Sequence, residues 1–134
     1  MLRSFLLLSL LSFVVPLGAD PAIDAALSRL ETLLQEENPR DIASVFSPDY
    51  PQGMEALQRH LSIVWTQERL LQLRFVVEDY GLTDDGRARV AVRWFKTYID
   101  EDERPRRSGG SSIIHYGQTG DSRLIEAIEG DRFF

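Results

Sequence analysis

The sequence predicts an α+β fold in which amino-terminal helices cover one face of an antiparallel β-sheet. Two changes of rhythm carry that expectation. Between Pro21 and Thr66 apolar residues recur every three or four positions, the spacing of one helix face; from Leu71 to Glu129 they mostly alternate with polar residues, the spacing of a strand. Segments rich in Gly, Asp and Ser separate the alternating stretches, so successive strands reverse direction and pair antiparallel. Such a sheet buries one face, and the helical stripes are its natural cover.

The chain opens on a leader. Met1–Ala19 carries one cation at Arg3, an unbroken apolar run from Phe5 to Val15, a break at Pro16 and the small residues Gly18 and Ala19. These are the three parts of a secretory signal peptide, with cleavage expected after Ala19. The run is too short for a membrane-spanning helix, which needs about 20 apolar residues. The expectation is a periplasmic or secreted protein with no membrane anchor after cleavage, and one domain spanning residues 20–134.

Asp20-Pro21 reads as an N-cap followed by proline at the first helical position. Ile23, Leu27, Leu30 and Leu34 then share a helix face, widened by Ala26 and Leu33, and the helix is expected to reach about Glu37. Asn38-Pro39 ends it. A short second helix follows, with Asp41 as its expected cap and Ile42, Val45 and Phe46 facing inward. Ser47 to Gly53 reads as a turn, and a third helix is predicted from Met54 to Thr66 on the stripe Met54, Leu57, Leu61, Val64 and Trp65.

In the first strand Leu71, Leu73, Phe75 and Val77 alternate with Gln72, Arg74, Val76 and Glu78. Thr83 to Gly86 forms a hairpin connection. The second strand, Arg87 to Ile99, places Val90, Val92, Trp94, Lys96 and Tyr98 on one side and Arg89, Ala91, Arg93, Phe95, Thr97 and Ile99 on the other; both sides carry large apolar groups, so the inward face is open at this point. Asp100 to Gly110 is expected to be a charged loop whose glycines let the chain reverse. Ser111 to Tyr116 and Arg123 to Glu129 are two further short strands around a Gly117–Ser122 turn.

Composition narrows the function. With 15 Lys+Arg against 21 Asp+Glu the net charge is −6, the wrong sign for a protein that gains affinity by neutralising nucleic-acid phosphates. The absence of cysteine excludes disulfides, thiolate metal sites and thiol catalysis.

The order of elements resembles the nuclear transport factor 2-like superfamily, which includes ketosteroid isomerase-like and polyketide cyclase-like proteins. Three segments carry the likeness: Phe46-Ser47-Pro48-Asp49-Tyr50 after the helix-break-helix, Arg89-Val90-Ala91-Val92-Arg93-Trp94, and the closing Ile128-Glu129-Gly130-Asp131-Arg132-Phe133-Phe134. Arg123 stands where many relatives have a tryptophan. The resemblance implies a strongly curved, cone-like antiparallel sheet with the helices in its concave face, enclosing a pocket. Members range from isomerases and hydrolases to domains without a reaction, so the fold does not name a chemistry.

Within such a cone Tyr50, Trp65, Phe75, Trp94 and Tyr98 are the expected ligand-binding residues, since concave sites are mostly apolar with a few polar groups; the competing reading is that they fill the core. Acid-base chemistry of the kind the resemblance implies would use buried carboxylates and tyrosines, here drawn from Asp49, Tyr50, Asp79, Tyr98, Tyr116 and Glu126. Glu126, between Leu124 and Ile128 on one strand face, is a buried acid, an exposed one, or one neutralised by Arg93 or Lys96. His60 flanks a helical stripe and reads as a boundary residue; His115 could face the sheet interior as a proton carrier. Neither histidine has a metal-ligand partner at suitable spacing. No cofactor or metal is expected. The expected partners are a small hydrophobic ligand or an envelope protein, with a homodimer through the sheet. An exported, non-catalytic binding module is the reading favoured, against a cofactor-independent isomerase, dehydratase or hydrolase and against a structural accessory domain of an envelope complex.

Overall fold

The computed structural model describes residues 21–119 and 122–134. The leader, the expected cap Asp20 and the tip of the last turn lie outside the described residues. Helix α1 spans Pro21–Glu36, α2 Pro39–Ile42 with a 3-10 turn at Ala43–Val45, and α3 Met54–Gln67. Four strands follow: β1 Arg69–Leu82, β2 Ala88–Ile99, β3 Pro105–Thr119 and β4 Ser122–Gly130. They form one antiparallel sheet in the order β1-β2-β3-β4, curved and not closed, with the helices packed against it.

Curvature has a local cause. The pairing gains an extra residue at Leu71 and at Glu78 on β1 and at Glu126 on β4, and a bulge bends its strand and increases its twist. The first bulge also changes a face: the strict alternation expected from Leu71 onward fails there, and Leu71 is 47% exposed while Leu70 packs against the core.

Helix α1 buries Ile23, Leu27, Leu30, Leu33 and Leu34. The opposing sheet face contributes Leu73, Ala88, Val90, Val92, Trp94, Ile114, Tyr116 and Ile125, which settles the inward face of β2. Each such large side chain, fully buried, contributes about 1.5–3 kcal/mol of transfer free energy. The helix ends at Glu37, which takes a left-handed φ of 55°, the position usually given to glycine.

The second helix is capped by Asn38 and not by the expected Asp41. Asn38 Oδ1 accepts from the Arg40 and Asp41 backbone N–H groups at 3.0 and 3.3 Å, and Pro39 follows at the first position, so the cap falls one residue before proline as the donor geometry requires.

The charged loop is a correction of a different size. The chain reverses within Asp100–Arg104, and β3 already begins at Pro105, pairing Ile99 with Pro105 and Trp94 with Gly110. Asp100 makes the reversal without glycine: its carboxylate accepts from the Asp102 and Arg104 N–H groups, both at 2.9 Å, and from Arg106 Nε at 2.7 Å. Gly110 serves packing instead. A Cβ there would lie 2.7 Å from both Trp94 Cζ2 and Asp131 Cβ.

Both lateral strands of the sheet have neighbours. Along β1, Glu37, just past α1, and Glu31 within it supply carboxylates to the N–H groups of Leu70 (3.1 Å) and Phe75 (2.8 Å), and Gln35 donates to the Leu71 carbonyl at 3.1 Å. Along β4, Phe46 forms a parallel bridge with Ile125, and the Ser47 N–H donates to the Ile125 carbonyl at 2.8 Å.

Candidate functional site

The interior between helices and sheet is occupied at one end by the chain's own last residues. Asp131 is tied to β3 through its N–H to the Ser111 carbonyl at 2.9 Å and its carboxylate to the Ser111 N–H at 3.0 Å. Ser112, buried, accepts from Trp94 Nε1 at 3.0 Å and donates to the Asp131 carbonyl. This chain of bonds delivers Phe133 inward, where its ring meets Phe75 and Phe134 edge-on at 4.9 Å and Trp94 at 6.2 Å.

The expected pocket residues fall around that plug and do not surround one open space. Phe75 and Trp94 pack on Phe133. Tyr50 stacks edge-on against Phe46 at 4.9 Å and, with His60, Arg132 and Phe134, borders a gap of about 30 Å³. Trp65 borders a second gap of about 10 Å³ beside Phe133 and Lys96. Tyr98 lies further along β2 with the Lys96 ammonium 4.9 Å from its ring centre. Lys96 itself, with its side chain 9% exposed, is paired to Glu68 at 2.9 Å. Burial pushes the Tyr50 hydroxyl above its ordinary pKa, against a smaller opposite pull from Arg132.

A half-open recess lies elsewhere, between the first half of α1 and the start of β4, with a volume of about 240 Å³. Ala22, Ala25, Ala26 and Arg29 form its helical wall, at positions i, i+3, i+4 and i+7 of one face, and alanines leave the room that larger side chains would fill. Arg123, Leu124 and Ile125 form the strand wall; Val45 and Tyr116 close the deep end. Arg29 donates to Ser44 Oγ at 3.0 Å, and Arg123 donates to the Gly86 carbonyl at 2.7 Å. Tyr116 is 1% exposed, its hydroxyl has no hydrogen-bond partner, and burial raises its pKa far above the usual phenolic value. It is a neutral phenol throughout the physiological range, able to donate a hydrogen bond and unable to act as a base.

Among the described residues no carboxylate lines this cavity. Asp49 and Asp79 are exposed. Glu126 sits at its bulge and pairs with Arg87 at 3.5 Å, not with Arg93 or Lys96, because the bulge sends its side chain beside the β1–β2 hairpin. His115 lies on the face of β3 opposite the buried Ile114 and Tyr116, so it does not reach the interior; its Nε2 meets Glu129 at 3.0 Å, and that contact holds the Glu129 carboxyl below its ordinary pKa. His60 keeps its Nε2 buried without a partner beside the Phe134 ring. Among the described residues no group of three or more acidic or histidine side chains could hold a metal.

Sequence reasoning reached Tyr116 but missed Arg29, Ser44 and Arg123. The readable signal was the Ala22-Ala25-Ala26-Arg29 spacing, small residues ending in a cation beside an otherwise leucine-rich stripe, together with an arginine at position 123.

No family model matches the sequence, and no curated protein matches it either. Solved structures do. Aln2 from a Streptomyces species superposes with a TM-score of 0.70 at 10% identity, covering 83% of this chain and 88% of that one. A putative calcium/calmodulin-dependent protein kinase II association domain from Xanthomonas campestris gives 0.66 at 19% identity, over 87% and 89%. A ketosteroid isomerase-like protein from Erwinia carotovora atroseptica gives 0.68 at 12% identity, over 80% and 90%. At such identities the likeness carries architecture and not activity. The three helices, the curved four-stranded sheet and these superpositions together give this chain the nuclear transport factor 2-like fold.

Proposed function

We propose that this protein is an exported, non-catalytic module that binds a small molecule in the cavity between α1 and β4. One observation carries the reading: Ala22, Ala25 and Ala26 leave a recess of about 240 Å³ whose apolar walls carry two arginines, Arg29 and Arg123. A concave, mostly apolar space with a few polar groups is the usual form of a small-molecule site. One fold neighbour is ketosteroid isomerase-like, but general acid-base catalysis needs a titrating group within hydrogen-bond reach of the substrate, and the lining offers a neutral phenol and two arginines.

The test is native mass spectrometry of the protein recovered from its own cells, alongside Ala22→Leu and Ala25→Leu variants. The expected result is a retained small molecule, lost in both variants while their unliganded melting temperatures stay at or above that of the parent. A wild-type protein with no bound molecule, or variants that retain it undiminished, would count against the reading. The same spectra report whether Met1–Ala19 has been removed, which export requires.

A second reading draws on the filled aromatic interior: an accessory domain of an envelope complex, whose partner would co-purify in place of a small molecule. In either case the outer face of the sheet, where Val76 is 43% and Phe95 49% exposed, is proposed to meet a second copy of the chain; a monomeric mass would remove that part.

A further inference from the structure

We infer that the molecule held between α1 and β4 is an organic monocarboxylate with a short apolar body. The inference rests on the reading of that cavity as a binding site and adds the chemistry of its occupant.

Charge distribution carries it first. The chain has an excess of acid, and several of its cations meet carboxylates: Arg59 meets Glu55, Arg87 meets Asp85 and Glu126, Arg93 meets Glu78, Lys96 meets Glu68 and Arg106 meets Asp100. Arg29 and Arg123 differ. Each is fixed by a neutral acceptor, Ser44 Oγ and the Gly86 carbonyl, and neither lies within 4.0 Å of a carboxylate among the described residues. A guanidinium has five N–H donors, so each keeps most of them for something else while its position is already set. Both line the same cavity, which carries no acidic side chain among the described residues.

One further feature agrees in sign. The cavity lies beside the first turn of the sixteen-residue α1, where the aligned peptide dipoles present their positive end. Planar, forked guanidinium donors match a carboxylate in shape as well as charge.

The remaining lining sets the rest of the molecule. Ala22, Ala25, Ala26, Val45, Leu124 and Ile125 form apolar walls, which a compact inorganic anion would leave unfilled. The volume of ≈ 240 Å³ corresponds to roughly eight water volumes, room for a ring or a short alkyl chain with one acidic head.

The test is calorimetric titration of the leader-processed protein with benzoate, phenylacetate and hexanoate, against benzamide, phenylacetamide and hexanamide, with inorganic phosphate as a further arm. At least one acid is expected to bind, by roughly tenfold or more over its amide, as loss of a charge-assisted hydrogen bond implies. Its affinity should fall with added salt, and Arg29→Gln and Arg123→Gln should each weaken it roughly tenfold while weakening the amide less. Arg29 is solvent-exposed, so its variant reads binding even if Arg123→Gln perturbs the fold. Amides that bind as tightly as acids would overturn the anionic head and leave the binding module standing. Phosphate that binds as tightly as the acids would overturn the apolar body. No binding by any acid overturns the inference outright; the molecule retained in native spectra then decides separately whether the cavity binds anything.

Discussion

Ser112 shows how one small polar side chain can decide the order of a core. It accepts from the Trp94 indole and hands its own proton to the Asp131 carbonyl, so both a buried donor and the tail depend on it. Ser112→Ala is expected to cost about 1–3 kcal/mol by stranding the indole N–H, measured by urea unfolding, with a shift in tryptophan emission as the tail loosens; unchanged stability and emission would show that the tail holds itself. Gly110 acts on the same cluster sterically. Gly110→Ala forces a methyl against Trp94 and Asp131 and is expected to destabilise by about 1–3 kcal/mol. Trp94 could be assigned to a core or a pocket from sequence, but not to one of them, because alternation places residues on faces and says nothing of what arrives opposite. What arrives is Phe133, from the far end of the chain.

At the scale of elements, the β2–β3 hairpin separates what local pattern reveals from what it hides. Turn-forming residues at Asp100–Gly110 mark a reversal, yet only Asp100–Arg104 turn. Arg106, Arg107, Gly109 and Gly110 read as loop because charge and glycine are poor strand signals; pairing with β2 overrides that preference. The turn depends on an ionised Asp100, whose bonds from Arg106 and then from the Arg104 and Asp102 N–H groups hold its carboxyl below the ordinary value of 3.8. A carboxyl depressed in the folded state contributes stability above its unfolded pKa and loses it as pH falls through the folded one. The Asp102 and Arg104 amide resonances are therefore expected to titrate with a midpoint below 3.8, and Asp100→Asn to abolish that titration; a midpoint at or above the ordinary value would remove the proposed anchoring. By contrast the helix stripes were legible almost to the residue, since a helical period sustained along the whole of α1 admits one face.

For the molecule as a whole, the fold class followed from the switch of period, and the cone from local bulges that no period announces. The candidate cavity was less legible still: its walls come from α1, the 3-10 turn, β3 and β4, which lie far apart in sequence. Phe133 and Phe134 line the small gaps of the aromatic cluster and not that cavity, and this separation makes a measurable claim. Phe133→Ala is expected to cost about 3–5 kcal/mol in urea unfolding and to enlarge the gaps near Trp65 and Tyr50. Ligand binding between α1 and β4, corrected for the lost stability, is expected to stay the same; a coupled loss would mean that the two spaces are one.

Glu31, Glu37 and the Phe46–Ser47 segment have a consequence for life at high concentration. Sheets polymerise by offering vacant backbone rungs to another chain, and this protein answers several of those rungs from within its own sequence, on both flanks. Glu31→Ala and Glu37→Ala together should therefore reveal themselves as a faster onset of thioflavin-positive fibrils on mild heating. The fold guards one border with glutamate side chains and the other with a stretch of its own backbone, spending neither proline nor lysine on β1 or β4.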